Sequence, residues 1–247
     1  MNSEVTGAAY VEAMNRDPTH REYRRAFLNL ALTLVRPQGS VFDFGSGPGI
    51  DAKAYADAGL RVCAYDVNAD MVEYFARHCT AEITAGSVRL NTGTYADFLR
   101  SQRVPGGTGI DLIVANFAPL NLIDDLPPLF AKFAAMLNSE GKLLVSVLNP
   151  FFRELRKSRG WWTRLPRLLW HGRYTKPLHG VIPVTRWLPG RLAREAAAFF
   201  QLTAMYAPET APTGQSPRRV TFSAPGDWTR IAATQFLFLQ FHRRTTV

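Results

Sequence analysis

The stretch "VFDFGSGPGIDAKAYADAGLRVCAYD", residues 41–66, restricts the fold more than any other part of the chain. A short apolar run meets three glycines, Gly45, Gly47 and Gly49. A helix-like segment closed by Gly59 follows, and a second apolar run ends in an acid, Asp66. Glycine supplies backbone without a Cβ, which is needed where the chain turns sharply or approaches a ligand. Strand, glycine turn, helix and strand outline a βαβ unit. In an open parallel sheet such a unit binds its ligand at the carboxyl ends of the strands.

The alternation continues along the chain. "NADMVEYFARHC" reads as a helix capped by Asn68, with Met71, Val72, Phe75 and Ala76 inward. "SVRLNTG" is a weak strand and "IDLIVANF" a strong one, apolar as a central parallel strand must be. "DDLPPLFAKFAAMLNSEG" predicts a helix with Leu126, Leu129, Phe130, Phe133 and Leu137 inward and Gly141 as its stop, before the strand "KLLVSVL". A helix and a strand around 201–206 follow. "TQFLFLQFHRR" is a last strand, reached through a Pro/Thr/Ser-rich loop from Ala207 to Gly226. Upstream, Asp17 and Pro18 start a helix, with Thr19 and Glu22 offering a capping box. Tyr23, Ala26, Phe27, Leu30, Ala31 and Leu34 then recur at helical spacing, and a shorter helix precedes them near residues 8–15.

The expectation is an α/β fold in a single domain: a doubly wound, seven-stranded, mainly parallel sheet with an antiparallel edge pair. Residues 1–38 form an N-terminal helical lid, 39–149 a ligand-binding core, 150–190 an insertion after the fifth strand, and 191–247 the closing helix and strands. A chain of 247 residues that is 47% hydrophobic supports one substantial core, not two α/β domains. Cys63 and Cys79 have neither disulfide nor metal-ligand spacing, so both read as core residues in a reducing compartment, with no metal. The N-terminus lacks the apolar region of a signal peptide. No uncharged apolar run approaches the ~20 residues of a membrane span. A soluble, cytoplasmic protein is expected.

The glycine spacing narrows the ligand. A dinucleotide fingerprint is GxGxxG, its third glycine letting a helix pack beneath a pyrophosphate. Here that position is Ile50, and the pattern is GxGxG preceded by Asp43. "DFGSGPG" resembles motif I of the class I S-adenosylmethionine-dependent methyltransferases, small-molecule type. The likeness covers residues 41–149 well and the closing strands more loosely. It implies S-adenosyl-L-methionine as cofactor and S-adenosyl-L-homocysteine as product. It sets Gly45, Ser46, Gly47 and Gly49 around the methionine portion, with Asp43 steadying the loop or the amino group. Asp66 would hold the ribose and Val67 would pack on adenine. Many members carry an acid near the adenine amino group where this chain has Thr94 and Tyr95. Asn116 and Phe117 would edge the transferred methyl. Three other readings stand beside this one: a purely structural glycine turn, a dinucleotide enzyme with a degenerate fingerprint, and a non-catalytic protein that keeps the fold.

Methyl transfer from a sulfonium is in-line displacement with an activated leaving group, so alignment matters more than a catalytic motif. His179 in "KPLHGVIP" is the candidate general base. Tyr10, Tyr23, Trp162 and Tyr174 are candidates for the acceptor pocket or its lid. The formal net charge of +9 is local: residues 151–176 hold eight basic side chains against Glu154 alone, interleaved with Phe151, Phe152, Trp161, Trp162 and Trp170. That segment suits a cap over an aromatic or anionic acceptor, a membrane-surface contact, a grip on RNA or DNA, or a solvated basic face. Enzymes that methylate exocyclic base amines share a (D/N)PP(Y/F) motif after the fourth strand, where this chain reads "NFAP". A small-molecule acceptor is therefore favoured over nucleic acid.

Overall fold

The computed structural model describes residues 7–101, 109–178, 182–208 and 217–244. Strand β1 (Ser40–Phe44) lies in the middle of the main sheet, parallel to β2 (Arg61–Asp66) on one side and β4 (Ile110–Ala115) on the other. Beyond β2 runs β3 (Val88–Thr92). Beyond β4 runs β5 (Leu137–Leu148), also parallel. The last strand, β10 (Phe236–Arg243), inserts antiparallel between β5 and β8 (Phe200–Ala207), and the two-residue β9 (Arg218–Arg219) closes the edge. The order is β3-β2-β1-β4-β5-β10-β8-β9, eight strands where seven are expected from sequence. The extra strand is the short β9.

Side chains alternate across a strand, and the two faces hold separate cores. Phe42 and Phe44 join Tyr65, Phe98, Phe130 and Phe133 on one face, beneath α6 (Tyr95–Arg100), α7 (Pro127–Met136) and α10 (Pro189–Ala196). Val41 joins Tyr23, Phe27, Val62, Phe75 and Val114 on the other, beneath α2 (Pro18–Leu34), α3 (Ile50–Asp57) and α4 (Ala69–His78). Asp43 shares the face of Val41. A carboxyl thus sits in an apolar layer, two residues before the first glycine of the turn.

Local signals account for most boundaries. Asp17 caps α2 by accepting from the Thr19 N–H at 2.8 Å, with Pro18 in the first turn. Glu22 closes no capping box and instead pairs with Arg25. Asn68 caps α4 through the Asp70 and Met71 amides. Helix α1 (Gly7–Arg16) leans on α2 and α4, and the short α5 (Thr80–Thr84) precedes β3.

Other elements also differ from or refine the sequence expectation. Helix α7 stops at Met136, so Leu137 is the first residue of a twelve-residue β5 and Gly141 is inside that strand. Leu137 remains buried because it pairs with Ile110, across a register shift before Leu112. The segment after β5 contains α8 (Arg153–Arg156), α9 (Arg159–His171) and a separate antiparallel hairpin, β6 (Arg173–Leu178) with β7 (Ile182–Trp187). Helix α11 (Pro225–Ala233) begins at the end of the Pro/Thr/Ser-rich stretch.

Candidate active site

The carboxyl ends of β1, β2, β4 and β5 share one edge of the sheet, and Asp43, Gly45, Ser46, Gly47, Gly49, Asp66, Val67, Asn116 and Phe117, selected from sequence, lie at or just beyond those ends. After β1 the chain turns back, and the Gly45 and Ser46 amides donate to the Tyr65 carbonyl at 2.8 and 3.1 Å. Gly45, Gly47 and Gly49 all have positive φ, at 72°, 54° and 84°, a region L side chains rarely adopt. Their surroundings differ. A Cβ at Gly45 would meet Pro119, and one at Gly49 would meet the Phe75 ring, each at 2.7 Å. A Cβ at Gly47 would meet nothing within 4 Å. The outer glycines permit packing within the protein, and the middle one faces open space.

Asp43 is 2% exposed, and its Oδ2 has no hydrogen-bond partner. Burial, then the Asp51 carboxylate, push its pKa well above the ordinary value, with Arg24 opposing the shift. The Ser46 hydroxyl is likewise buried and unpartnered. Asp66 accepts from the Gly47 amide at 2.7 Å through Oδ2 and from the Asn68 amide at 2.8 Å through Oδ1. Burial raises its pKa, and those amides oppose the rise. A carboxylate has about four acceptor sites, so Asp66 keeps acceptor capacity beyond its backbone amides. Beside it, Val67 is 57% exposed, an apolar side chain with a free face.

Thr94 caps α6: its hydroxyl accepts from the Asp97 amide and donates to the Asp97 carboxylate at 2.6 Å. Tyr95 packs edge-on against Phe44 with a buried, unpartnered hydroxyl whose pKa burial pushes up to about 12. Asn116 is buried. Its amide donates to Asp51 at 2.9 Å, and its carbonyl accepts from the Phe117 amide. Phe117 and Ala118 both have positive φ, 58° and 67°.

Two residues that pattern reading passed over organise this edge. Arg24 of α2 binds Asp51 at 2.6 Å and lies 4.7 Å over the Phe117 ring. Asp51, in the first turn of α3, thereby joins α2 to the exit of β4. The only available signal was an acid immediately after the glycine turn. A cavity of about 340 Å³ opens between α2 and α3, with His20, Arg24, Ile50 and Asp51 in its wall.

Of the pocket candidates, Tyr23 is buried between α2 and β10, its phenol oxygen accepting from the Gln235 amide at 2.8 Å. Tyr10 belongs to α1, but its side chain, like the whole of His179, lies outside the described residues. Tyr174 is buried against a second, 140 Å³ cleft between α9 and the hairpin. Trp162 is 58% exposed, whereas Trp161, not singled out from sequence as a pocket residue, lines that cleft and donates its indole N–H to the Pro150 carbonyl. Among the described residues no group of His, Cys, Asp or Glu could hold a metal ion, and no helix is long and apolar enough to cross a membrane.

A parallel sheet with an antiparallel partner inserted beyond β5, a GxGxG turn over a buried acid and a second acid ending β2 define a Rossmann-like domain of methyltransferase architecture. The family described as a methyltransferase domain matches residues 14–177, and the chain belongs to that family. No curated protein matches the sequence. Solved structures share the fold. One is a Haloferax volcanii protein in complex with the Trm112 methyltransferase activator (16% identity, TM-score 0.67, covering 97% of this chain and 95% of that one). Another is the 1,6-didemethyltoxoflavin-N1-methyltransferase of Burkholderia thailandensis (17%, 0.62, 97% and 87%). A third is the geranyl diphosphate C-methyltransferase of Streptomyces coelicolor A3(2) (16%, 0.58, 91% and 79%).

Proposed function

We propose that the protein transfers a methyl group from S-adenosyl-L-methionine to oxygen, nitrogen or carbon of a small, flat or anionic molecule. The observation that carries this reading is the unpartnered Oδ2 of Asp43, buried beneath a turn whose Gly47 faces open space. An ammonium group placed there would ionise the acid and supply the partner it lacks, and a turn without a Cβ leaves room for the ligand. Nearby residues fit the rest of the molecule. Gly45, Ser46 and Gly47 lie against the methionine portion, and Ser46 offers a free hydroxyl. The spare lone pairs of Asp66 take the ribose hydroxyls. Val67 packs on adenine, and Thr94 and Tyr95 border its edge.

The cofactor supplies an activated methyl group on sulfur. The chain's contribution is alignment and exclusion of water. Asn116 is fixed by Asp51, and the Phe117 ring is held by Arg24 and by edge contacts with His20 and Phe236, so the wall beside the methyl is rigid. The acceptor enters beneath the cap formed by α8, α9 and the hairpin, with His179 as its general base where one is needed. Buried, unpaired Cys63 and Cys79 suit a cytoplasmic location.

The test is calorimetric titration with S-adenosylmethionine, S-adenosylhomocysteine, NAD and NADP separately. Binding of the first two at about micromolar Kd, and of neither dinucleotide, is the expected result. Dinucleotide binding alone would transfer the protein to hydride chemistry, and binding of none of the four would remove the reading.

A further inference from the structure

The 140 Å³ cleft in the cap has a composition the fold does not require. In the hairpin, Tyr174 pairs with Arg186 and Lys176 with Val184, so these four side chains share one face. Helix α9 meets that face with Trp161 and Arg164, one helical turn apart, and Ser158 lies just before them. Three cationic side chains therefore converge on one small space, and among the described residues the cleft wall contains no acid.

None of the three has a carboxylate partner among the described residues. Arg186 is half-buried and donates one N–H to the Asn149 carbonyl at 3.0 Å. Arg164 donates to the Gly160 carbonyl at 2.5 Å. Both arginines keep further donors, since a guanidinium has five. The nearby acid, Glu154, pairs with Lys157 and Arg153. Burial lowers the pKa of Arg186, which marks an uncompensated cation. A cation withdrawn from water is costly unless an anion or hydrogen bonds accompany it. A basic surface that was only solvated would turn its guanidinium groups outward, as the exposed Arg167 does.

The cleft is also tied to the reaction edge. Leu148, the last residue of β5, forms part of its wall. Asn121, in the turn that follows Phe117, accepts from the Leu148 amide at 3.1 Å and donates to the Thr185 carbonyl beside Arg186. β5 is two strands from β1, roughly 10 Å at the usual sheet spacing.

We propose that this cleft is an anion subsite in which Arg186, Arg164 and Lys176 hold a carboxylate or phosphate of the methyl acceptor, with Tyr174 and Trp161 against an adjoining flat group. The proposal rests on the methyl-transfer reading for the word acceptor, and on the cleft alone for the anion. Its volume is below the ~300–1,000 Å³ of pockets that enclose drug-sized ligands, which suits one acidic group on one small ring.

Benzoate, phenyl phosphate and neutral benzamide, titrated into the full chain at fixed ionic strength with S-adenosylhomocysteine as a separate ligand, provide the test. At least one acid is expected to bind tenfold or more tighter than benzamide, and the tighter of the two tells carboxylate from phosphate. Arg186→Met and Lys176→Met should each weaken that acid at least fivefold, with S-adenosylhomocysteine affinity within twofold of the wild type. Lys176 is exposed, so its variant decides the matter should Arg186→Met fail to fold. Equal binding of acids and amide, or acid affinity unchanged in the folded variants, would overturn the proposal. Acid binding that the variants lose, in a protein that binds no S-adenosylhomocysteine, would uphold the anion subsite and remove the methyl-transfer reading instead.

Discussion

Asp43 combines two properties that oppose each other in the free protein. Its carboxyl is held in an apolar layer close to Asp51 and Asp66, which disfavours the charge that the proposed contact with an ammonium group requires. An acid whose native pKa lies above its unfolded value, ordinarily 3.8 here, stabilises the fold fully only below that value. The contribution is lost as pH rises through the native pKa. Asp43→Asn should therefore melt about 2 °C or more above the wild type at pH 7, with the gap closing as pH falls toward about 4. The same variant should bind S-adenosylmethionine at least tenfold more weakly, about 1.4 kcal/mol. Melting curves across that range, with calorimetry at pH 7, check both, and a variant no more stable at neutral pH would mean the carboxyl is already satisfied. The acid, the three glycines and the second acid were legible as a pattern in the sequence, since their spacing needs no tertiary information, whereas a role for Asp43 was implied only by the family resemblance. What each glycine does was not legible. Pro119 and Phe75 reach Gly45 and Gly49 from distant parts of the chain, and only their absence at Gly47 marks the open position.

Three elements meet at Asp51. Its carboxylate joins Arg24 on α2 and Asn116 at the end of β4, and its side chain is 9% exposed. Removing one partner of a buried ion pair typically costs about 3–5 kcal/mol, whereas replacing both is far less damaging. Asp51→Ala is expected to destabilise the protein by about 3 kcal/mol, and Arg24→Met added to it should restore part of that loss. Thermal denaturation of both single variants and the double variant measures the coupling, and losses that simply add would show that the pair is not a unit. Periodicity could locate α2 and α3 but not this bridge, because a polar residue on a helix reads as solvent-facing until its neighbour is known. The hairpin was illegible for a different reason. Pro177 and Pro183 face each other across β6 and β7, and prolines withdraw two donors from one rung, so neither segment reads as a strand. The end of α7 was misplaced because Leu137 is buried whether it ends a helix or begins a strand; pairing with Ile110 decides it.

Across the whole molecule, alternation of apolar runs and helical patterns gave the sheet its class. The long loop between the last two long strands pointed to their antiparallel pairing, but the pairing of β10 with β5 was not legible. β10 carries a continuous apolar run because it is flanked by β5 and β8 and covered on both faces, and periodicity cannot tell such a strand from a parallel one. The resulting architecture has two sheets of unequal security. The central strands are each paired on both sides within an eight-stranded sheet, whereas the hairpin of the cap is a two-stranded sheet of its own. Isolated hairpins are marginal and depend on what packs against them, so local opening of the cap should take less free energy than opening of the core. Amide hydrogen exchange is expected to be slowest in β1, β4 and β5 and at least tenfold faster in β6 and β7. S-adenosylhomocysteine should then slow exchange in the turn from Gly45 to Gly49 and leave the hairpin unchanged, while the acid that fits the cleft slows the hairpin and leaves the turn. Protection of both regions by either ligand alone would instead mean that the cap closes over the cofactor as one cooperative unit. The bridge from Asn121 to Thr185 would then be the connection to cut, since it joins the turn after Phe117 to the strand that carries Arg186.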